Sequence, residues 1–437
     1  MPHRLIATLF ASYLVAFIDR GLISVAAAPI RHDLDLSDAQ LGLLIGPAFV
    51  AFFCLCAIPM GWLADRTSRR RLIALGLLFW SVMTGCCALA GSFWSLFAAR
   101  LGVGLGEACL VPAGVSLIAA ETSDEHVAKA LGVFLMGAAV GNGVALLAGG
   151  RLLEWITAAI GSSPTYDSVA PWRILFFTAS LAGLPMAAAV MTLSEPARVG
   201  TAPGRLPISP RESLKQALTN LRQSAAAYGY LSAATACVVV LAQVPTAWMP
   251  LYFVRTFGLS PGMSATLLGL IVLGTAPTGQ ALGGILIDKL RAVGVLAAPH
   301  FVQALCTLLA LPAAAVFCTS EHLEYAATAF AAYNFLVFAA TPAGLTGWRI
   351  LTPESSMGLT IALLTAGVTF MAIGFGPPIV GGVSDFVFGT ESALGRALLV
   401  VVVAAAILGI SSALLGRCSF TKAVVFTKAA DRVNFAL

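Results

Sequence analysis

Charge is what this sequence has least of. Only 10% of its 437 residues are Asp, Glu, Lys or Arg, against about a quarter in soluble domains. Twenty-five basic and 20 acidic side chains cannot coat the two or three soluble domains that such a length would make. A typical soluble enzyme, a nucleic-acid binder and a disordered chain are excluded. The net charge of +5 is spread over loops and forms no basic face. Histidine is scarce as well: the five sit outside or at the ends of the apolar runs, so no buried metal site is expected. CxxC and HExxH are absent, as is any serine–histidine pair within one apolar run, which argues against an intramembrane enzyme. The nine cysteines lie mostly inside apolar runs (Cys54, Cys56, Cys86, Cys87, Cys109, Cys237, Cys306). There they read as small packing residues, not as disulfides or metal ligands. No cofactor is expected. There is no N-x-[ST] sequon.

Apolar residues are what remains, at 59% with a mean hydropathy of +0.92. They fall into runs at 5–30, 39–64, 72–90, 94–119, 127–156 and 172–193, then 226–254, 262–287, 297–318, 325–347, 358–385 and 395–416. A membrane span needs about 20 such residues. Asp19-Arg20 would fall inside the apolar region of a signal peptide, so the first run reads as a retained span. The expected fold is an all-α membrane protein with twelve transmembrane helices in two six-helix bundles, residues 1–193 and 226–416. A cytoplasmic linker, 194–225, carries Pro196, Pro203, Pro207 and Pro210 and a short amphipathic piece around Leu214 to Leu221. A cytoplasmic tail follows at 417–437. Eighteen Lys/Arg lie on the side of the termini, five on the other side and two within spans. The excess predicts both termini in the cytoplasm. Short loops are compatible with a bacterial inner membrane. Trp62, Trp94, Trp155, Trp172 and Trp348 near span ends read as an interfacial belt.

The two groups of six share a signature. Gly61-Trp-Leu-Ala-Asp65-Arg66 closes the second run and Gly284-Ile-Leu-Ile-Asp288-Lys289 the eighth. The two aspartates are 223 positions apart, about half the chain, as a parallel duplication requires. Asp65 and Asp288, with Arg66, Arg69, Arg70 and Lys289, are the candidate cytoplasmic gate, because a carboxylate at a helix end is held by arginines and neighbouring helix N-termini. The plainer reading of Arg66 to Arg71 is an orientation signal.

Four charges lie deep inside runs: Asp19 and Arg20 in the first, Arg100 and Glu107 in the fourth. Charges in a membrane cost several kcal/mol each and mark function by default. Arg100 and Glu107 are two helical turns apart, about 10 Å along one face. The four sum to zero, so mutual pairing is expected. A packing-only ion-pair network is one reading. The other is a proton-coupling site at Asp19 and Glu107, with Arg20 and Arg100 as charge partners and holders of a substrate head group. No charge occupies the middles of the second six runs, which offer Gln243, Tyr333, Asn334 and Thr365 as neutral cavity-wall candidates; Asn142 is a minor candidate in the fifth run. Such a cavity suits an amphiphile with a polar or zwitterionic head. Glycine is dense in the fifth and eleventh runs, where tight helix packing and a gating role both fit.

Gly61 to Arg71 resembles the loop signature of the major facilitator superfamily, with Ser68 where glycine is usual, and Arg100 to Ala108 resembles its fourth-helix motif. Ile18-Asp19-Arg20 with Ser24-Val25-Ala26, Gly104-Leu-Gly106-Glu107-Ala108, Gly376-Pro377-Pro378-Ile379-Val380-Gly381 and Ser384-Asp385 resemble the Spinster-like lipid transporters. Pro171-Trp172-Arg173 and Ser194-Glu195-Pro196 add to that likeness. Asn142 stands where the antiporter form of the fifth-helix motif has proline, so antiport does not follow from it. The resemblance implies alternating access, proton coupling through Asp19 and Glu107 and a lysolipid or sphingoid phosphate as cargo. The expectation is a monomeric proton-coupled transporter of an amphiphilic solute, driven by the proton gradient, contacting membrane lipids and no nucleic acid. Proton-symport uptake of a small organic anion is the alternative.

Overall fold

The computed structural model describes residues 3–64, 66–122, 124–161, 169–195, 210–353 and 357–434. Among them are seventeen α-helices and no strand. Twelve helical stretches are long and apolar enough to cross a membrane, six on each side of the linker. The chain is an all-α, multi-pass integral membrane protein.

The helices of the first six spans are α1 (His3–Val25), α2 (Ala27–Asp33), α3 (Asp38–Ile45), α4 (Pro47–Ala64), α5 (Arg69–Ala88), α6 (Phe93–Glu107), α7 (Leu110–Glu121), α8 (Asp124–Gly161) and α9 (Pro171–Met191). The linker region holds α10 (Pro210–Gln223). After it come α11 (Ala225–Phe257), α12 (Pro261–Ala292), α13 (Ala298–Thr319), α14 (Leu323–Ala340), α15 (Pro342–Leu351), α16 (Met357–Gly382) and α17 (Leu394–Asn434). A π-helical turn, Val383–Phe388, follows α16.

The apolar runs were continuous in sequence, but several spans are broken helices. Gly46-Pro47 separates α3 from α4, and Thr341-Pro342 separates α14 from α15. Proline lacks the donor that would continue the ladder, and starts a helix well because its φ is preset. The fourth span breaks between Glu107 and Leu110, immediately after an ionisable residue. Serines start the others: Ser37 and Gln40 form a capping box at α3, Ser92 and Ser95 another at α6, and the Ser68 hydroxyl accepts the Arg71 N–H at α5.

The helices group into two compact units. Unit 1 comprises Met1–Gly200, Thr246–Leu273 and Gly374–Ala397; unit 2 comprises Thr201–Pro245, Gly274–Ile373 and Leu398–Leu437. Contact thus groups parts of α11, α12 and α16 with the first six spans, whereas the duplication in the sequence divides the chain near its middle. The two bundles at 1–193 and 226–416 remain a proposal from the duplication.

In unit 1, α1 packs along α8 and α5 along α9. Gly137 and Gly141 of α8 face α1 so closely that a Cβ would lie 2.9 Å from the Phe10 carbonyl oxygen and 2.6 Å from the Phe17 Cβ. The glycines at that face serve close helix approach. In unit 2, Tyr228, Leu231, Trp348, Leu351, Phe420 and Val424 form a buried cluster. Phe420 and Val424 bury an apolar face and no proline interrupts the segment, so α17 runs on from the last span through Asn434, into the segment expected as a tail. The tryptophan belt is also corrected. Trp62, Trp94 and Trp155 are exposed, but Trp172 and Trp348 are buried and donate to Asp33 Oδ2 (3.0 Å) and Ser232 Oγ (3.2 Å).

Candidate functional site

Unit 1 brings together the four intramembrane charges from two elements, α1 and α6, and the expected mutual pairing forms in part. Arg20 Nε donates to Glu107 Oε2 at 2.6 Å. Asp19 pairs with no arginine among the described residues: its Oδ2 accepts from the Thr84 hydroxyl of α5, also at 2.6 Å. Adjacent residues on a helix point about 100° apart, so Asp19 and Arg20 address different neighbours. Arg100 lies close enough to Asp19 to act on it electrostatically, but its Nε and Nη1 have no hydrogen-bond partner among the described residues. Asp19 Oδ1 and Glu107 Oε1 are likewise unpartnered. Arg100 and Glu107 are each 1% exposed.

Aromatic rings complete the surroundings. The Arg20 guanidinium carbon lies 4.4 Å from the ring centre of Phe17, 4.4 Å from that of Phe49 and 4.6 Å from that of Phe53. Phe49 also faces Arg100 at 5.6 Å. Tyr13, stacked on Phe134, lies within electrostatic reach of Arg20 and Glu107. An aromatic face attracts a cation by about 0.5–2 kcal/mol. The rings therefore offer Arg20 a second resting place besides the carboxylate.

Two glycines set this geometry. Gly104 lies directly against the Phe49 carbonyl, which brings α6 onto α4. Gly106 meets α5, where a Cβ would stand 2.8 Å from the Trp80 Cβ. Thr84, one turn beyond Trp80, then faces Asp19. Thr84, Tyr13, Phe17, Phe49 and Phe53 were missed in the sequence because each is an ordinary apolar or weakly polar residue within a span.

The gate candidates fare differently. Asp65 lies outside the described residues. Arg66 stacks over Trp62 at 4.2 Å. Arg69 is buried, with its Nε donating to Glu195 Oε1 at 3.0 Å and its Nη1 to the Ser116 carbonyl at 3.3 Å. Arg70 donates to the Leu193 carbonyl at 2.8 Å. Glu195 also accepts from the Ser68 hydroxyl (2.7 Å) and from the backbone N–H groups of Arg69 and Arg70 (3.2 and 3.1 Å), so its carboxylate caps α5. Burial pushes that carboxyl up, but these hydrogen bonds outweigh it and hold it below the usual glutamate value. Glu195 had entered only through its Ser-Glu-Pro setting; its partners are about 125 positions away. Asp288 and Lys289 are exposed near the end of α12.

Of the cavity-wall candidates, Tyr333 is buried and its hydroxyl donates to the Leu241 carbonyl at 2.8 Å. Asn334 Nδ2 donates to Thr275 Oγ1 at 2.8 Å, while its Oδ1 is unpartnered. Gln243 and Asn142 are half-buried and Thr365 is exposed.

Known proteins resemble this chain along most of its length. The sequence profile of the Major Facilitator Superfamily matches residues 9–347. An MFS-type efflux pump of Mycolicibacterium smegmatis is 27% identical over 401 residues, 90% of this chain and 87% of the pump. The "Probable galactarate/D-glucarate transporter" of Bacillus subtilis is 27% identical over 319 residues, 65% of this chain and 64% of the transporter. A crystal structure of a bacterial homologue of the human lysosomal transporter Spinster, inward-facing and unoccupied, superposes with a TM-score of 0.83 at 26% identity. It covers 97% of this chain and 98% of the homologue.

Proposed function

The chain belongs to the Major Facilitator Superfamily, and from there we propose that it is a proton-coupled secondary transporter moving an amphiphilic, lipid-like organic solute by alternating access, with both termini in the cytoplasm. The observation that carries the reading is the Arg20–Glu107 pair at 2.6 Å beside Asp19 and an unpaired, buried Arg100.

Charge balance supplies the mechanism. With both carboxylates ionised, the four groups sum to zero. A proton on Glu107 removes the negative charge that pairs with Arg20, whose guanidinium is then held more weakly, against the faces of Phe17, Phe49 and Phe53. The cluster now carries one uncompensated positive charge in a low-dielectric setting, which is costly until an anion arrives. The anionic part of a substrate head group meets Arg20 and the free donors of Arg100, and the aromatic rings meet the apolar portion next to the head. Arginine suits this task because its planar fork grips carboxylate and phosphate in pairs of hydrogen bonds. Thr84 holds Asp19 meanwhile, so the two carboxylates have separate hydrogen-bond partners.

A flux assay in proteoliposomes tests the reading, with a panel of single-chain phospholipids and small organic acids, with and without a pH gradient. Gradient-stimulated flux of a single-chain amphiphile is expected. Asp19→Asn should abolish gradient-driven transport and spare solute exchange; full proton coupling in that variant removes Asp19 from the mechanism. The same charge arithmetic favours a second reading, symport of a small organic anion with protons, which the name of the Bacillus subtilis relative also fits. Preference for a small acid over every amphiphile in the panel selects it.

A further inference from the structure

The two ends of the second span are served differently. At one end the carboxylate of Asp38, the first residue of α3, is surrounded by donors: Arg255 grips its two oxygens at 2.6 and 2.7 Å and the Ser384 hydroxyl donates to it at 2.8 Å. Asp385 accepts the neighbouring Ala39 N–H at 2.7 Å. At the other end a cation is left over. Arg69 donates to Glu195 and Arg70 to the Leu193 carbonyl. The Arg71 guanidinium is exposed and has no hydrogen-bond or ion-pair partner among the described residues. Arg66, over the Trp62 ring, is exposed as well.

A groove runs from Arg71 into the membrane-spanning part of unit 1. The helices α4 and α5 follow each other in sequence yet scarcely touch, because each packs on α6 and α7 instead. The space left between them, about 230 Å³, opens to the surface. Met60 of α4, Leu75 and Phe79 of α5 and Leu105 of α6 form its walls. Gly76, Gly106 and Cys109 lie at its base, on either side of the break that follows Glu107. Gly76 rests directly against the Cys109 sulfur, and a Cβ on it would stand 2.7 Å from the Gly106 carbonyl oxygen. The two glycines keep the groove deep by adding no bulk. The Cys109 thiol donates to the Leu72 and Gly106 carbonyls at 3.5 and 3.3 Å, so its hydrogen is not offered to the groove.

Arg71, Leu75 and Phe79 recur every four residues and share one face of α5. Leu75 is 64% exposed and Phe79 41%. From Leu72 to Phe79 the groove follows α5 for about 10 Å, within the roughly 15 Å of hydrocarbon that one leaflet provides. A cation without a partner at the mouth and an apolar slot of that length beneath it match a charged head joined to a hydrocarbon chain. We propose that the groove between α4 and α5 binds one anionic phospholipid, its phosphate at Arg71 and one acyl chain along Leu75 and Phe79 over Gly76 and Gly106. A free phosphate would use the arginine and leave the slot unfilled. A zwitterionic lipid would fill the slot but offset its phosphate with its own cation. The bound chain packs against the backbone of Gly106, so the lipid supports the break beside Glu107 from outside the charge cluster. The proposal requires only that the chain spans a membrane, not that it couples to protons.

Native mass spectrometry of the full-length protein in detergent measures the affinity of the first bound lipid. The probes are phosphatidylglycerol, phosphatidylcholine with the same two chains, and glycerophosphate as the head without chains. Phosphatidylglycerol should bind about tenfold more tightly than phosphatidylcholine, and glycerophosphate should displace neither. A basic residue beside an anionic lipid contributes about fivefold in affinity. Arg71→Gln should therefore weaken phosphatidylglycerol about fivefold and phosphatidylcholine by less than about twofold. Leu75→Trp lays an indole into the slot and should weaken both lipids about tenfold. Val82→Trp, at an exposed position of α5 outside the lining, should change neither. If Leu75→Trp does not fold, Met60→Trp fills the slot from α4. An unchanged lipid preference in Arg71→Gln, or slot-filling variants that bind like Val82→Trp, overturns the proposal. Displacement by glycerophosphate would mean a phosphate site without a chain slot, and a dimer dispersed by Leu75→Trp would mean a second copy on this face; either also overturns it.

Discussion

Both units bury polar side chains, but among the described residues only unit 1 buries charge: Asp19, Asp38, Arg69, Arg100 and Glu107 there, against Thr235, His300, Gln303, Thr307, Asn334, Thr352 and Thr360 in unit 2. The neutral groups are paired only in part: His300 Nδ1 and Nε2, Gln303 Oε1, Asn334 Oδ1 and Thr360 Oγ1 have no partner among the described residues. Tyr333 reaches the Leu241 carbonyl, Gln303 Nε2 donates to Thr235 Oγ1 at 2.9 Å, and Asn334 reaches Thr275. Such hydrogen bonds contribute about 1 kcal/mol each, and they specify how helices meet. The charges of unit 1 also keep atoms without a partner among the described residues, on Asp19, Arg100 and Glu107, and there the unpaired groups are ionisable. A buried charge without full pairing costs several kcal/mol. Unit 2 buries no charge among the described residues, so the difference marks where chemistry is to be sought.

Three substitutions break or sharpen this contrast. The largest effect is expected for Glu107→Gln, which leaves Arg20 without its anion whatever the pH. Gradient-driven flux in proteoliposomes should fall by about 100-fold, equivalent to about 2.7 kcal/mol. A variant that still follows the gradient would reduce the Arg20–Glu107 pair to packing. Next is Glu195→Gln at the Arg69 brace. Because hydrogen bonds hold the native carboxyl below its unfolded value, its contribution to stability is present above the unfolded pKa and lost as pH falls through the folded one. Thermal unfolding in detergent should show the variant melting a few degrees lower at neutral pH, with the gap closing in acid. A gap independent of pH would mean that charge is not what Glu195 supplies. The smallest effect belongs to Tyr333→Phe in unit 2: a loss of about 1 kcal/mol in stability, with the ratio of gradient-driven flux to exchange unchanged. A changed ratio would give unit 2 a part in coupling and erase the contrast.

Much of the fold was legible because hydropathy is local. Each span announces itself within its own 20 or so residues, and the Gly61–Arg66 and Gly284–Lys289 segments share one signature about half the chain apart. The intramembrane charges were legible for the same reason, since a charge in an apolar run is conspicuous wherever it points. Direction was not legible. Charge neutrality suggested that Asp19 meets an arginine, yet helix geometry turns it to Thr84, and an unremarkable threonine in an apolar run gives no signal. Asp38 and Arg255 were hidden because they sit at span ends, where ionisable residues are expected, and Asp385 entered only through its Ser-Asp setting.

The sequence by itself determined the solvent, the number of crossings and which charges are too expensive to be there without a purpose, because all three follow from the free energy of moving residues one stretch at a time into hydrocarbon. Only the tertiary structure decided which of those charges meet, that Glu195 caps α5, and that Asp38 is held by residues 217 and 346 positions away. Those pairings depend on helix rotation and on close approach at glycines such as Gly104 and Gly381. Both are set by how whole helices pack, which no short window of sequence contains.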